Sequence, residues 1–339
     1  MSAQGTQAGP AASPDSGVAM VGIAFLTGLS VVITLLAVAV SGLQFVHAGK
    51  FFLPVGGMAG FLLLINAYQY VRMPDNKKFI MLVNMILIYL IMATSMMVFQ
   101  YCMAMTHAYP INWFIDDADK VLGFDWLQFS SLVDKAPYAS DVIGECYKNW
   151  MREFVVIFVI LTMFSKYEEL YDFTASYIIA GMVTLSVSGF LDSRSFDGVA
   201  AYAIAGLHHP SGVAPAYLEK LDHLRRGLDS TFDFDRIVGL VAFPSFHAGA
   251  AVLLAVAARS LKWLWLPFLV FNVLVLIGTV TEGGHNFSDV ISGCAIAVAS
   301  VAVARGLRRS GYEMWLARMA GRLLPRRAIR AEAAARVSA

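Results

Sequence analysis

Cysteine and charge are both scarce in this chain. Only 3 of its 339 residues are cysteine. Cys102, Cys146 and Cys294 have neither metal-ligand spacing nor the pairing of a disulfide framework. Two of them fall in or beside apolar runs, where a small buried thiol serves as packing. Charged residues make up 14 % of the chain, against about a quarter in an ordinary soluble domain. The net charge of +1 gives no electrostatic footprint for nucleic acid. No basic stretch precedes the first apolar run, which argues against a cleaved signal peptide. What stands in place of charge is 58 % hydrophobic residues, gathered into long runs. That pattern excludes a soluble globule and implies an all-α, polytopic membrane helix bundle.

About eight spans are expected. They cover 18–46, 51–70, 79–105, 153–164, 172–191, 246–258, 263–280 and 289–304, the fourth being short unless it begins near Val142. Residues 1–17 are mostly Ala, Gly, Ser, Pro and Gln and cannot build a core, so they read as a disordered tail. Residues 106–151 are polar and mixed. Within them Ile115, Ala118, Val121, Leu122, Trp126 and Phe129 fall on one face at helical spacing, predicting an amphipathic helix at the interface. It would serve as a brace, or as a lid over a site. Residues 192–242 form a long charged loop. The final span has small residues Ser292, Gly293, Ala295, Ala297 and Ala299 for close helix contact.

The last residues, 310–339, form a basic tail, and with Arg305, Arg308 and Arg309 they mark one face as cytoplasmic. An even number of spans puts both chain ends there. The short loops with Arg72, Lys77, Lys78, Lys166, Arg259 and Lys262 agree. The long loops then lie outside, on the periplasmic side of a bacterial inner membrane.

The chain is organised around residues 243–293. Two apolar segments, Phe246–Ala258 and Trp263–Val280, are joined by a short polar link with Arg259, Ser260 and Lys262. They predict an antiparallel helix pair. His247 opens the outbound helix and His285 follows the return helix, so both belong to one face. Asp289 lies four residues after His285, within reach of its imidazole on a helix. Pro244 and Ser245 stand at the N-cap and first helical positions, where free N–H groups suit a phosphate. Any one of these residues alone reads as a hydrogen-bonded helix-end group. Three together in an apolar hairpin point to chemistry, because ionisable groups near a bilayer are costly to keep. One imidazole attacks a phosphorus or carbonyl centre, a carboxylate orients it, and the second imidazole protonates the leaving oxygen.

These residues carry a resemblance. Pro244-Ser245-Phe246-His247 resembles the Pro-Ser-Gly-His signature of the type-2 phosphatidic acid phosphatase superfamily. His285-x-x-x-Asp289 resembles the end of its Ser-Arg-x5-His-x3-Asp signature. The runs GLVAFPSFH and TVTEGGHNFSDVISG are similar to the branch of inositolphosphotransferases related to fungal inositol phosphorylceramide synthase. That branch accepts a bulky residue at the position of Phe246 and lacks the signature arginine, here Thr279. The resemblance implies a six-helix catalytic core within 79–309, preceded by two extra helices within 18–78. It implies a phosphohistidine on His285, oriented by Asp289, with His247 as acid and then base. It implies no metal and no cofactor.

The superfamily's Lys-x6-Arg-Pro element is absent, so other cations are needed for the phosphate. The cluster HLRRGLD offers Arg225, matching a Leu-Arg-x-Gly element of the branch, and Arg226; Arg236 and Lys220 are further candidates, with Ser245 beside them. His208-His209 diverges in direction and has no ligand partner at metal spacing. The expected partners are a lipid phosphate, membrane lipids, and either water or a hydroxyl acceptor. Water would make the enzyme a lipid phosphate or polyprenyl pyrophosphate hydrolase, and a hydroxyl would make it a phosphotransferase. A non-catalytic lipid-binding or transport role on the same scaffold is the remaining alternative.

Overall fold

A computed structural model describes residues 16–193 and 213–312, with 315, 316, 318 and 319 beyond them. Of the expected tail at 1–17, residues 1–15 lie outside the described residues, whereas Ser16 and Gly17 open a helix; the His208-His209 pair and the basic residues from 320 onward also lie outside them. Among the described residues eleven α-helices follow in order: α1 Ser16–Ser41, α2 Ala48–Arg72, α3 Lys77–Ala104, α4 Asn112–Val121, α5 Trp126–Asp134 and α6 Pro137–Met163. Then come α7 Tyr167–Phe190, α8 Val213–Arg225, α9 Phe246–Ala258, α10 Trp265–Thr281 and α11 Phe287–Arg309. The fold is the all-α bundle that the apolar runs imply.

Among the described residues six helical segments are long and apolar enough to cross a membrane: α1, α2, α3, α7, α10 together with the turn before it (Lys262–Thr281), and α11. The other two expected spans differ from these. Helix α9 has 13 residues, about 20 Å at ~1.5 Å per residue. Helix α6 runs to 27 residues, far longer than the apolar run 153–164. Its front half, with Asp141, Glu145, Lys148 and Arg152, looks like loop by composition alone. It is helical because Ile143, Trp150, Phe154, Ile157, Phe158 and Leu161 fall on one face and are buried.

The amphipathic stretch is corrected in detail. It forms two helices, with a turn at Gly123, rather than one. Ile115 and Trp126 face the bundle, whereas Val121 and Leu122 are exposed. The described part of the 192–242 segment, from residue 213 on, holds more regular structure than its charge suggests. It contains α8 and a strand, β4 Thr231–Asp233, which pairs in parallel with β1 Gln44–Val46. A second small pairing joins β2 Tyr109–Pro110 to β3 Leu191–Asp192.

The core lies where α3, α6, α7, α9 and α10 meet, around Phe154, Tyr177, Ile157, Leu161 and Leu254. A second cluster, with Tyr101, Leu221, Leu224 and Phe232, seats α8 on the end of α3. Helices α9 and α10 form the expected hairpin, and α11 packs on α7 and α9. The Tyr312 hydroxyl donates to the Gly22 carbonyl at 3.1 Å, so the start of α1 and the end of α11 share one end of the bundle. Arg308 ties that end to α7 through Asp172 at 2.8 Å and Glu168 at 2.9 Å. The histidines sit at the other end, where α9 and α11 begin.

The approach of α11 to α9 is set by Gly293. A Cβ there would overlap the Ser245 carbonyl. Gly293→Ala should therefore push the two helix starts apart and lower stability by about 1–3 kcal/mol, the usual cost of overpacking. Gly306→Ala, on the same helix but facing open space, should be neutral or slightly stabilising. Thermal unfolding of both variants in detergent checks the contrast.

Candidate active site

The site is built where two helix starts meet the end of a third helix. Ser245 is the N-cap of α9, one position later than expected. Its hydroxyl accepts the Ala248 N–H at 3.4 Å, and its side chain is buried. Asn286 caps α11 in a capping box. Its side chain accepts the Asp289 N–H, and the Asp289 carboxylate accepts the Asn286 N–H at 3.0 Å. The Ser245 N–H then donates to the Asp289 carbonyl at 3.0 Å. One residue, Asp289, thus links both helix starts.

His285 hangs on the short turn between α10 and α11. Its N–H donates to the Thr279 carbonyl at 3.2 Å, and the Gly283 N–H donates to Gly278 at 3.0 Å, which closes the end of α10. Gly284 adopts φ +65°, and a Cβ on Gly283 would stand 2.7 Å from the Tyr147 hydroxyl and 3.0 Å from the His285 ring. Both positions need glycine. Within this turn the His285 Nδ1 lies 3.5 Å from Asp289 Oδ2, an ion-pair distance rather than a well-aligned hydrogen bond. Both side chains are almost wholly buried.

His247 stands in the first turn of α9. Its ring stacks on Tyr147 with centroids 4.8 Å apart and meets Trp150 edge-on at 4.9 Å. Tyr147 therefore touches His247 with its face and approaches the His285 turn with its hydroxyl. Phe246 turns the other way, packing against Trp150 and Tyr177, so a bulky residue at this position does not obstruct the histidines. Glu282, 6 % exposed, lies against Gly144 of α6. Burial raises its carboxyl, Lys148 lowers it and Asp141 raises it again, with the net shift upward.

The arginines expected at the phosphate are placed elsewhere. Arg225 donates from one guanidinium nitrogen to the Thr106 carbonyl at 2.9 Å and from another to Ser188 at 2.8 Å, with Gly189 at 3.2 Å. It also faces Asp192 at 3.7 Å. Ser188 and Gly189 lie in the last turn of α7, whose carbonyls need donors, and Thr106 lies just past the end of α3. Arg226 is exposed and pairs with Asp222 at 3.0 Å. Arg236 borders an outer polar cleft of about 340 Å³ with Glu219, Lys220, His223, Asp229 and Asp233. In that cleft burial raises the Asp229 carboxyl, but hydrogen bonds from Lys220 and Thr231 outweigh it and bring it down to about 2.

Four further residues border the site, and of these only Trp126 carries a sequence signal, as part of the amphipathic face. Tyr147 and Trp150 form an aromatic wall on the unexpected half of α6. Trp126 of α5 donates its indole N–H to the Val280 carbonyl at 3.2 Å. Asp119 of α4 accepts the Phe287 N–H at 2.9 Å, the Ser288 N–H at 2.8 Å and the Ser288 hydroxyl.

The PAP2 superfamily matches residues 113–303, more than half of the chain, from α4 into α11. His247, His285 and Asp289 all fall within the match. No curated protein and no solved structure matches the chain.

The engagement of Arg225 has a direct consequence. Arg225→Ala strands several main-chain carbonyls, and stability should fall by roughly 3 kcal/mol. Arg226→Ala, at an exposed pair, should change it by less than about 1 kcal/mol. Thermal melting of the purified variants distinguishes the two.

Proposed function

Because the chain belongs to the PAP2 superfamily, we propose that it is an integral-membrane enzyme that cleaves a lipid phosphate through a phosphohistidine on His285. The observation that carries this reading is the contact of the buried His285 Nδ1 with Asp289 at 3.5 Å, which leaves Nε2 as the free nitrogen.

In the first step Nε2 of His285 attacks phosphorus. The P–N bond forms as the bond to the lipid alcohol breaks, and His247 donates its proton to the departing oxygen. Asp289 stabilises the imidazolium of His285 while Nδ1 keeps its proton. In the second step the now neutral His247 removes a proton from the acceptor. The acceptor oxygen attacks phosphorus, the P–N bond breaks, and His247 is recharged for the next cycle. The first-turn N–H groups of α9 and the Ser245 hydroxyl supply donors for the equatorial phosphate oxygens. Of the three arginines, Arg236 stays the candidate cation for the phosphate, because Arg225 is held by main-chain carbonyls and Arg226 by Asp222.

Water as acceptor makes this a lipid phosphatase. A hydroxyl acceptor, such as inositol, makes it a phosphotransferase, the reading favoured by the likeness of GLVAFPSFH and TVTEGGHNFSDVISG to inositolphosphotransferases. The site opens on the face opposite the arginines that end α11, which is the non-cytoplasmic face if those arginines face the cytoplasm.

His285→Ala should abolish turnover, and His247→Ala should lower kcat by at least about 100-fold. The check is release of free phosphate from a panel of lipid phosphates, and formation of inositol phosphate when inositol is added. Turnover of either variant at the wild-type rate contradicts the mechanism. Inositol phosphate formed at the expense of free phosphate when inositol is added assigns the transferase reaction.

A further inference from the structure

We infer that Asp119 is a positioning residue for His285, acting from a separate helix through the first turn of α11. The inference rests on the assignment of His285 as nucleophile, which it extends to a residue outside the hairpin.

A helix start leaves its first amides without partners in the helix. In α11 the amides of Phe287, Ser288 and Asp289 follow the N-cap Asn286. Asn286 takes the third of them with its side chain. The first two go to Asp119, one to each carboxylate oxygen, at 2.9 and 2.8 Å. The Ser288 hydroxyl adds a further bond to the same carboxylate. Asp119 is 8 % exposed and Ser288 is 8 % exposed, so water does not readily substitute. A carboxylate at this position also meets the positive end of the helix dipole.

Two consequences follow for the site. The orientation of the first α11 turn is fixed from α4, and Asp289 is the third residue of that turn. Any tilt of the turn changes the 3.5 Å separation of Asp289 Oδ2 from His285 Nδ1. Second, the start of α11 is already occupied by a protein carboxylate. A substrate phosphate is therefore left with the start of α9. The neighbouring contacts reinforce the grip. Phe124 stacks on Phe287 with centroids 4.6 Å apart, and the Trp126 bond to Val280 holds the other side of the His285 turn. The segment from α4 to α5 thus clasps residues 280–288 at both ends.

The test compares Asp119→Ala, which removes both acceptors, with Asp119→Asn, which keeps one. Hydrogen–deuterium exchange over residues 281–290 reads the clasp, and steady-state kinetics on a lipid phosphate reads its effect. Asp119→Ala should lose amide protection in that peptide alone and should lower kcat by about 100-fold, with KM within about threefold, because the substrate still binds. Asp119→Asn should fall between Ala and wild type in both readouts, and it keeps the test open should the Ala variant fail to fold. Wild-type protection and kcat in either variant overturn the inference, as does a loss expressed in KM or spread over the exchange of the whole protein. If the wild-type protein turns over no lipid phosphate, the proposed function fails. The exchange readout still decides whether Asp119 holds the turn.

Discussion

The histidine end of the bundle depends on one main-chain hydrogen bond, from the Ser245 N–H to the Asp289 carbonyl. It joins the starts of α9 and α11, helices that begin more than forty residues apart in sequence. Helix starts carry unpaired amides and like-signed dipole ends, so two of them do not approach without compensation. Here one donates to the other, and the Asp119 carboxylate takes the first two amides of α11. Gly293 permits the approach because any side chain would overlap the Ser245 carbonyl. The positions of His247 and His285 follow from this junction.

Asp289 therefore has several tasks. Its carbonyl holds α9, its carboxylate caps Asn286, and the same carboxylate faces His285. A residue so tied has little rotational freedom, which is what an orienting group needs. The opposite wall is apolar and aromatic. Tyr147 and Trp150 hold the His247 ring on two sides, keeping bulk water from one face of a group proposed to carry protons. Pre-set geometry in a partly dry pocket is the means by which such sites stabilise developing charge.

Much of this was legible in the sequence, for definite reasons. Long apolar runs mark helices whatever their partners, so the hairpin between His247 and His285 could be read directly. The four-residue interval from His285 to Asp289 needs only a helix start between them. Where the sequence misled, a local signal competed with a tertiary one. The front half of α6 carries enough charge to pass for a loop, and only packing reveals Tyr147 and Trp150. The stretch 112–134 has helical periodicity, but the turn at Gly123 divides it and turns Val121 and Leu122 outward. Arg225 looked like a phosphate ligand because a charged residue in a motif invites that reading. It meets main-chain carbonyls at the ends of α3 and α7, whose need for donors no local pattern records. Asp119 is one of several acids in its segment, and nothing in the residues around it singles it out.

The central claim is that His285 is the atom-transferring group. The most direct measurement is rapid acid-free quenching of the protein during turnover of a lipid phosphate labelled on phosphorus, followed by peptide mapping under alkaline conditions. The account expects an acid-labile, base-stable label on the peptide containing His285, absent when Asn replaces that histidine. A label on another residue, or turnover with no labelled protein at any time point, would contradict it.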